Sequence, residues 1–323
     1  MPAPAPRRIS YLRMSITDRC NLRCGYCTYW QEFKRVPPGE ILSYEELLRV
    51  AGVAAEAGIR KIRVTGGEPL VRRGVVDFIK DLHQVPGIRE VCLTTNGVLL
   101  PELAPALYDA GLRHINISLD TLRRDRYQEI TGKDNWREVL AGLQLALALG
   151  FQPLKINCVV LKGINEDELM DLALLARDHP VQVRFIELMP TVSQDWWERH
   201  YLPMSSVHRR LAGLGRLSPI ITAATAGPAR VFRAPGFQGE LGFISPMSEH
   251  HCGSCNRLRL TAAGQVRACL LRAMELDLKA SLRQGLSDQS LARLFQEAIR
   301  LKVHGSGLPM PGGSFPTMAS IGG

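Results

Sequence analysis

Up to about residue 189, apolar positions along the chain alternate between two rhythms, and the alternation predicts a repeated strand-and-helix unit. Short apolar runs predict strands over 12–17, 61–65, 91–95, 114–119, 154–161 and 181–188. Amphipathic stretches such as 44–57 lie between them and predict helices. Ser43 and Glu46 stand at capping-box spacing ahead of that helix, and Asn165 and Glu168 repeat the spacing before one near Leu169. Gly58, Gly111 and Gly150 each fall where a helix ends before the next strand, the usual place for a helix-terminating glycine. Six such units predict parallel strands joined by right-handed helical crossovers. A curved, partial (β/α) barrel is the preferred closure, with an open doubly wound sheet as the alternative. Either way, ligands belong at the C-terminal ends of the strands.

Past Met189 the rhythm changes. The stretch 190–203 reads as a loop carrying Trp196 and Trp197, and 213–242 is rich in Gly, Pro and short alternating runs. Residues 257–260 and 266–271 predict a hairpin around Ala263-Gly264, followed by helices near 276–282 and 291–303. The end, 305–323, is rich in Gly, Pro and Ser and predicts no regular structure. The expected organisation is a loose tail over 1–10, an α/β domain over 11–189, a smaller α+β domain over 190–310 packed across the barrel mouth, and a flexible tail over 311–323 ending in Gly-Gly.

A length of 323 residues suits one large and one smaller domain. The apolar share is ordinary, enough for a sizeable core and against disorder. No apolar run reaches the roughly 18 residues of a membrane span. Arg7-Arg8 is not followed by the apolar stretch of a secretory signal, so a cytoplasmic location away from membranes is expected. The net charge of +9 favours an anionic partner: a nucleic acid, an anionic membrane or a polyphosphate. The basic residues form no long run of the kind that makes a nucleic-acid-binding arm. Many stand singly at strand ends, which suits a small phosphorylated ligand and not nucleic acid.

Eight cysteines sharpen the picture. A disulfide framework is not expected in a cytosolic chain of this size. Cys92 and Cys158 stand alone in apolar runs and read as small buried hydrophobes. Cys20, Cys24 and Cys27 follow directly on the first strand. Three thiolates on a short loop can hold three irons of a [4Fe–4S] cluster and leave the fourth open to S-adenosylmethionine. A structural zinc loop is the alternative, but no fourth ligand lies nearby. The spacing, with Tyr26 just before the last cysteine, resembles the radical S-adenosylmethionine superfamily. Thr65-Gly66-Gly67-Glu68-Pro69 follows the second strand as a matching motif does there. Its glycines permit close backbone approach to a ligand, and a backbone carbonyl with Glu68 could fix the methionine ammonium. Thr94-Thr95-Asn96-Gly97 and Asn116-Ile117-Ser118-Leu119-Asp120 place further polar groups at the same rim. Near the C-terminus, Cys252, Cys255 and Cys269 form a second three-thiolate set. It suits zinc, with His250 or His251 as fourth ligand, or a second [4Fe–4S] cluster with an open iron. Arg257 and Arg259 share one strand face. They make either a receptor for phosphate oxygens or an ordinary solvated face.

Taken together, these residues resemble the GTP 3′,8-cyclase family of molybdenum cofactor biosynthesis. The resemblance is carried by Tyr11 to Cys24, Ile62 to Pro69, Val183 to Met189, Cys252 to Leu260 and the terminal Ile321-Gly322-Gly323, so it covers nearly the whole chain. It implies a partial (β/α)6 radical-SAM barrel closed by a C-terminal domain with its own [4Fe–4S] cluster on Cys252, Cys255 and Cys269, with GTP between the two clusters. The family's S-adenosylmethionine contacts fall on Tyr26, Gly67, Ser118 and Met189. Its GTP contacts fall on Arg13, Arg63, Thr94, Lys155, Arg257 and Arg259. The implied reaction abstracts hydrogen from C3′ of GTP, joins the ribose radical to C8 of guanine, and takes up a further electron and proton. The Gly322-Gly323 tail is implied to enter the active site and support radical initiation. A small-protein or flavin electron donor and a downstream cyclic pyranopterin monophosphate synthase are the implied partners, and a homodimer is compatible. The sequence departs from the pattern at Thr28-Tyr29-Trp30, where such families carry Met-Pro or Leu-Pro after the third cysteine. Two other readings compete: a peptide-modifying radical enzyme with auxiliary clusters, and an iron- or redox-sensing nucleic-acid binder. The first needs a longer cysteine-rich tail. The second leaves Gly66 to Pro69 without a role.

Overall fold

A computed structural model describes residues 9–27, 33–222, 227–249, 255–270, 275–304 and 318–322. In chain order the elements are β1 (Tyr11–Ser15), α1 (Tyr44–Glu56), β2 (Lys61–Thr65), α2 (Val75–Gln84), β3 (Glu90–Thr95), α3 (Leu100–Asp109), β4 (His114–Ser118), α4 (Arg124–Thr131), α5 (Trp136–Ala148) and β5 (Leu154–Val160). There follow α6 (Leu169–Asp178), β6 (Val181–Glu187), α7 (Gln194–His200), α8 (Met204–Arg210), β7 (Ser218–Ile220), β8 (Arg230–Arg233), β9 (Glu240–Ile244), β10 (Arg257–Leu260), β11 (Gln265–Arg267), β12 (Glu275–Asp277), α9 (Leu278–Arg283), α10 (Asp288–His304) and α11 (Met318–Ile321). The six expected strands are all present. Each is bounded within a residue or two of its apolar run, because the run ends where the strand leaves the core.

The chain divides into two compact units. The first comprises Met1–Arg19, Lys34–Val91 and His251–Gly323. Its strands run β12-β11-β10-β1-β2. β1 is parallel to both β2 and β10, and β10, β11 and β12 are successively antiparallel. The 257–260 strand therefore forms the expected hairpin, although its second arm is only Gln265–Arg267. α1 follows from its sequence. Leu47, Val50, Ala51 and Ala54 form a buried stripe, and Ser43 and Glu46 form the capping box in full.

The second unit comprises Cys20–Phe33 and Cys92–His250, with strand order β3-β4-β5-β6-β9-β8-β7. β3, β4, β5, β6 and β9 are mutually parallel, and β8 and β7 add antiparallel. Every residue of β6 except Ile186 is buried, as expected of a strand in a parallel sheet covered on both faces. Gly58, Gly111 and Gly150 all have positive φ, and the helix-ending role read for them holds. Cys92 and Cys158 are 0% exposed. No described helix is long and apolar enough to cross a membrane.

Four expectations need correction. The 190–203 loop contains α7, started by Ser193, whose hydroxyl accepts from Trp196 N–H. The stretch 276–282 begins as strand β12, and Asp277 then caps α9 by accepting from Ala280 N–H. Residues 318–321 of the tail form the short helix α11. The Asn165–Glu168 capping box does not form. Asn165 donates instead to the carbonyls of Asp120 and Val159, and Glu168 accepts from Thr121 Oγ1 and Leu122 N–H. Tertiary partners took both side chains from the local cap.

Candidate functional site

In the second unit, the loop bearing Cys20, Cys24 and Cys27 is irregular and owes its shape to named bonds. Arg23 and Gly25 donate backbone N–H groups to the carbonyls of Thr131 and Ile130 at the end of α4. Tyr26 Oη donates to Asp120 Oδ2 at 2.7 Å, and Thr191 Oγ1 donates to the Tyr26 carbonyl at 3.3 Å. Cys20 Sγ accepts from Leu22 N–H at 3.4 Å and from Asn96 Nδ2 at 3.8 Å. Such N–H···S bonds are what cluster thiolates receive. Burial pushes the Cys24 thiol up, and the neighbouring Cys27, Asp120 and Cys20 push it further. Three half-buried thiols whose neighbours oppose ionisation need a compensating cation to become thiolates, and iron supplies it. The loop therefore fits an iron–sulfur cluster. Burial also raises Asp120 to about 6, against the opposing bonds from Tyr26 and Val159 N–H.

A small cavity in this unit is lined by Cys24, Tyr26, Asn96, Ser118, Asp120 and Tyr127, among others. It brings together two of the expected S-adenosylmethionine contacts, Tyr26 and Ser118. Met189 lies just past the end of β6 and is half-buried. Its carbonyl accepts from Thr191 N–H, so the chain around it turns back. Thr94, Asn116 and Lys155 are register partners across β3, β4 and β5. Residues at one register level face the same side of a sheet, so Thr94 and Lys155 flank Asn116 there.

The first unit holds a row of cations. Arg259, Arg13 and Arg63 are register partners across β10, β1 and β2, and Arg257 lies one same-face step back, opposite Tyr11. Arg63 Nε donates to Tyr11 Oη at 2.7 Å. Arg13 is lowered from its ordinary 12.5 to about 10, chiefly by burial, with Tyr11 opposing and Arg63 and Arg257 adding to the fall. Burial and the neighbouring Arg13 and Arg257 lower Arg259 as well. Arg13 Nε is buried without a hydrogen-bond partner. A desolvated, mutually repelling set of guanidiniums with an orphaned donor fits a multiply charged phosphate ligand.

The tail meets this row. Gly322 carbonyl accepts from Thr65 Oγ1 at 2.9 Å and from Arg13 Nη2 at 3.4 Å. Gly323 lies outside the described residues. Packing alone already requires glycine at Gly66 and Gly67. A Cβ there would come within 2.6 Å of the Thr17 carbonyl oxygen and 2.5 Å of the Arg19 carbonyl oxygen. They let Thr17 to Arg19 lie against the Gly66-Gly67 turn, and Gly67 N–H donates to Thr17 O. Glu68 is buried, and its Oε1 accepts from Leu70 N–H in the turn that follows.

For the second cysteine set, Cys252 lies outside the described residues, as do His250 and His251. Burial pushes the Cys255 thiol up, but Arg257 and Lys302 outweigh it and bring the thiol down to about 6. A thiol so poised is a ready metal ligand. Cys269 is half-buried, and the carbonyl of its neighbour Ala268 accepts from Lys302 Nζ at 2.7 Å. Thr28-Tyr29-Trp30 also lies outside the described residues. Sequence reasoning missed Thr191, Lys302 and the role of Asp120 as the partner of Tyr26. No local pattern marks residues that meet only through tertiary contact.

Comparison with known proteins gives a consistent result. Residues 14–176 match the Radical SAM superfamily, and residues 181–307 match Molybdenum Cofactor Synthesis C. The GTP 3′,8-cyclase of Pelotomaculum thermopropionicum is 49% identical over 298 residues, covering 92% of this chain and 92% of that protein. The GTP 3′,8-cyclase of Moorella thermoacetica is 47% identical over 296 residues, again with 92% of each covered. Among solved structures, Streptococcus suis SuiB bound to its precursor peptide SuiA matches with a TM-score of 0.50 at 16% identity. That match covers 64% of this chain and 45% of SuiB. The structure of anSMEcpe with bound AdoMet matches with a TM-score of 0.50 at 18% identity, over 64% of this chain and 58% of that one. These two likenesses concern the α/β fold.

Proposed function

This chain belongs to the GTP 3′,8-cyclase family of the radical SAM superfamily, and from that membership we propose that it converts GTP to (8S)-3′,8-cyclo-7,8-dihydroguanosine 5′-triphosphate. The reaction is the first step of molybdenum cofactor biosynthesis. The observation that carries the reading to this substrate is the row Arg259–Arg13–Arg63, with Arg257 beside it. A triphosphate is the kind of ligand that relieves a cluster of guanidiniums of which Arg13 and Arg259 are held down by burial. The enzyme uses S-adenosylmethionine and [4Fe–4S] clusters, which we assign to Cys20, Cys24 and Cys27 and to Cys252, Cys255 and Cys269. When bound, the first cluster would supply the one electron that cleaves the sulfonium S–C5′ bond of S-adenosylmethionine into methionine and the 5′-deoxyadenosyl radical.

The chain's own residues bind and orient. We assign Tyr26, Gly67, Ser118 and Met189 to S-adenosylmethionine, and Arg13, Arg63, Thr94, Lys155, Arg257 and Arg259 to GTP. The docked Gly322 carbonyl, on Arg13 and Thr65, supports a role for the Gly322-Gly323 tail beside the substrate cations. Oxygen-sensitive clusters and free thiolates belong in a reducing, cytoplasmic setting. A small-protein or flavin electron donor, a downstream cyclic pyranopterin monophosphate synthase and a homodimeric state complete the reading.

The test is anaerobic reconstitution followed by incubation with GTP, S-adenosylmethionine and a reductant. The expected result is 5′-deoxyadenosine whose formation depends on GTP, from protein carrying about eight irons per chain. Cleavage indifferent to GTP refutes the substrate. About four irons together with one zinc refutes the second cluster.

A further inference from the structure

We propose that Asp120 is a positioning residue for the first cysteine loop, acting through the phenol of Tyr26. The inference rests on the reading that Cys20, Cys24 and Cys27 hold a cluster.

The first half of the loop is tied by backbone bonds from Arg23 and Gly25 to the end of α4. The second half, which carries Cys27, has the Cys27 N–H bond to the Cys24 carbonyl, the Thr191 hydroxyl on the Tyr26 carbonyl and the Tyr26 side chain to hold it. The ring packs beside Ile130, Leu161 and Leu188, contacts that are apolar and carry no directional bond. Its hydroxyl supplies the directional bond by donating to Asp120 Oδ2 at 2.7 Å. Asp120 is 6% exposed and lies two residues past the end of β4. Its Oδ1 accepts from Val159 N–H of β5 at 2.8 Å, and its own carbonyl accepts from Asn165 Nδ2 at 2.8 Å. One carboxylate thus fastens the cysteine loop to the ends of two adjacent parallel strands. Both oxygens and the carbonyl are engaged, so the group has little freedom to move. Partners of this kind hold metal-ligating segments in place, and their loss weakens metal retention without removing a ligand.

Two roles are separable. Asp120 could merely hold β5 through Val159, or it could hold the loop through Tyr26. Only the second makes its effect depend on the Tyr26 hydroxyl. Tyr26→Phe removes that hydroxyl and leaves the packing ring. Asp120→Asn keeps an acceptor for Val159 N–H and removes the charge that grips the phenol.

The experiment uses reconstituted full-length wild type, both single variants and the double variant. It measures the rate at which a chelator strips iron from the first site, and the electron paramagnetic resonance spectrum of the reduced protein with and without S-adenosylmethionine. Each single variant is expected to lose iron about tenfold faster than wild type, with a broadened S-adenosylmethionine-dependent spectrum, and the double variant no faster than either single. Wild-type iron loss and spectrum in Asp120→Asn overturn the proposal. So do effects that multiply in the double variant, since they mean that Asp120 acts independently of Tyr26. Wild-type protein that takes up no iron at these cysteines overturns the proposed function together with this inference. Normal wild-type uptake with unaffected variants overturns this inference alone.

Discussion

Arg13 and Gly322 are 309 positions apart, and the guanidinium of the one donates to the carbonyl of the other at 3.4 Å. Gly322 has φ +78, and a Cβ there would stand 2.6 Å from Ser15 Cβ and 2.8 Å from Thr65 Oγ1. Neither the backbone conformation nor the space admits a side chain. In Gly322→Ala the left-handed conformation alone costs about 1–2 kcal/mol, so the docked tail should become roughly tenfold less populated. The expected outcome is faster proteolysis at the C-terminus and a matching fall in GTP-dependent 5′-deoxyadenosine, with iron content unchanged. A variant with wild-type proteolysis and turnover would show that the docked tail has no part in the reaction.

Much of this was legible beforehand, and the reason lies in what sequence encodes locally. Strand and helix positions follow from apolar period, so β2 and α1 could be placed nearly to the residue. Cys20, Cys24 and Cys27 are recognisable because their spacing is itself the chemical requirement. Register is different. That Arg13 stands level with Arg259 on one side and Arg63 on the other depends on which strands pair and where. Nothing near Arg13 in the chain records that. The failed Asn165–Glu168 box makes the same point in reverse. The local signal was present, yet Asp120, Val159, Thr121 and Leu122 claimed both side chains.

The arginine row predicts a pH and salt signature. The folded pKa of Arg13, about 10, lies below its ordinary 12.5. The unfolded chain therefore holds this proton more tightly, and the charged guanidinium costs stability throughout the neutral range. An anion that binds the row should relieve that cost. Inorganic tripolyphosphate is expected to raise the melting temperature, by less as salt is added. Its affinity should fall as pH rises through about 10, where Arg13 loses its proton. Arg257→Ala should weaken GTP binding by about tenfold or more and leave S-adenosylmethionine binding intact. Equal loss of both ligands in calorimetry would refute the assignment.

The start of α1 offers a test of fold stability away from the chemistry. Ser43 Oγ accepts from Glu46 N–H at 3.2 Å, and Glu46 Oε2 accepts from Ser43 N–H at 2.7 Å. Arg283 Nε also donates to Glu46 Oε1 at 3.0 Å, so the box is tied to α9. Ser43→Ala removes one acceptor and should cost about 1 kcal/mol, a fall of about 2 °C in melting temperature. Ser43→Asp keeps an acceptor and should recover most of it. An alanine variant as stable as wild type would mean that the box contributes nothing.

Glu187 ends β6, two residues before Met189. It is 1% exposed and accepts from the N–H groups of Met204 at 2.8 Å, Met247 at 2.9 Å and Ser248 at 3.0 Å, and from the Ser248 hydroxyl. A carboxylate can serve four donors because both oxygens only accept. In Glu187→Gln one oxygen becomes an amide nitrogen facing donors, which leaves unsatisfied either the buried Met204 N–H or the part-buried Met247 and Ser248 N–H groups. The expected loss is about 2–3 kcal/mol, read as a lower urea midpoint with an unchanged slope. Met189 is two residues along the same chain, so the KM for S-adenosylmethionine should rise while the KM for GTP holds. A glutamine variant within 0.5 kcal/mol of wild type, roughly the scatter of neutral surface changes, would show that those N–H groups find other acceptors and that Glu187 does not organise this end of β6.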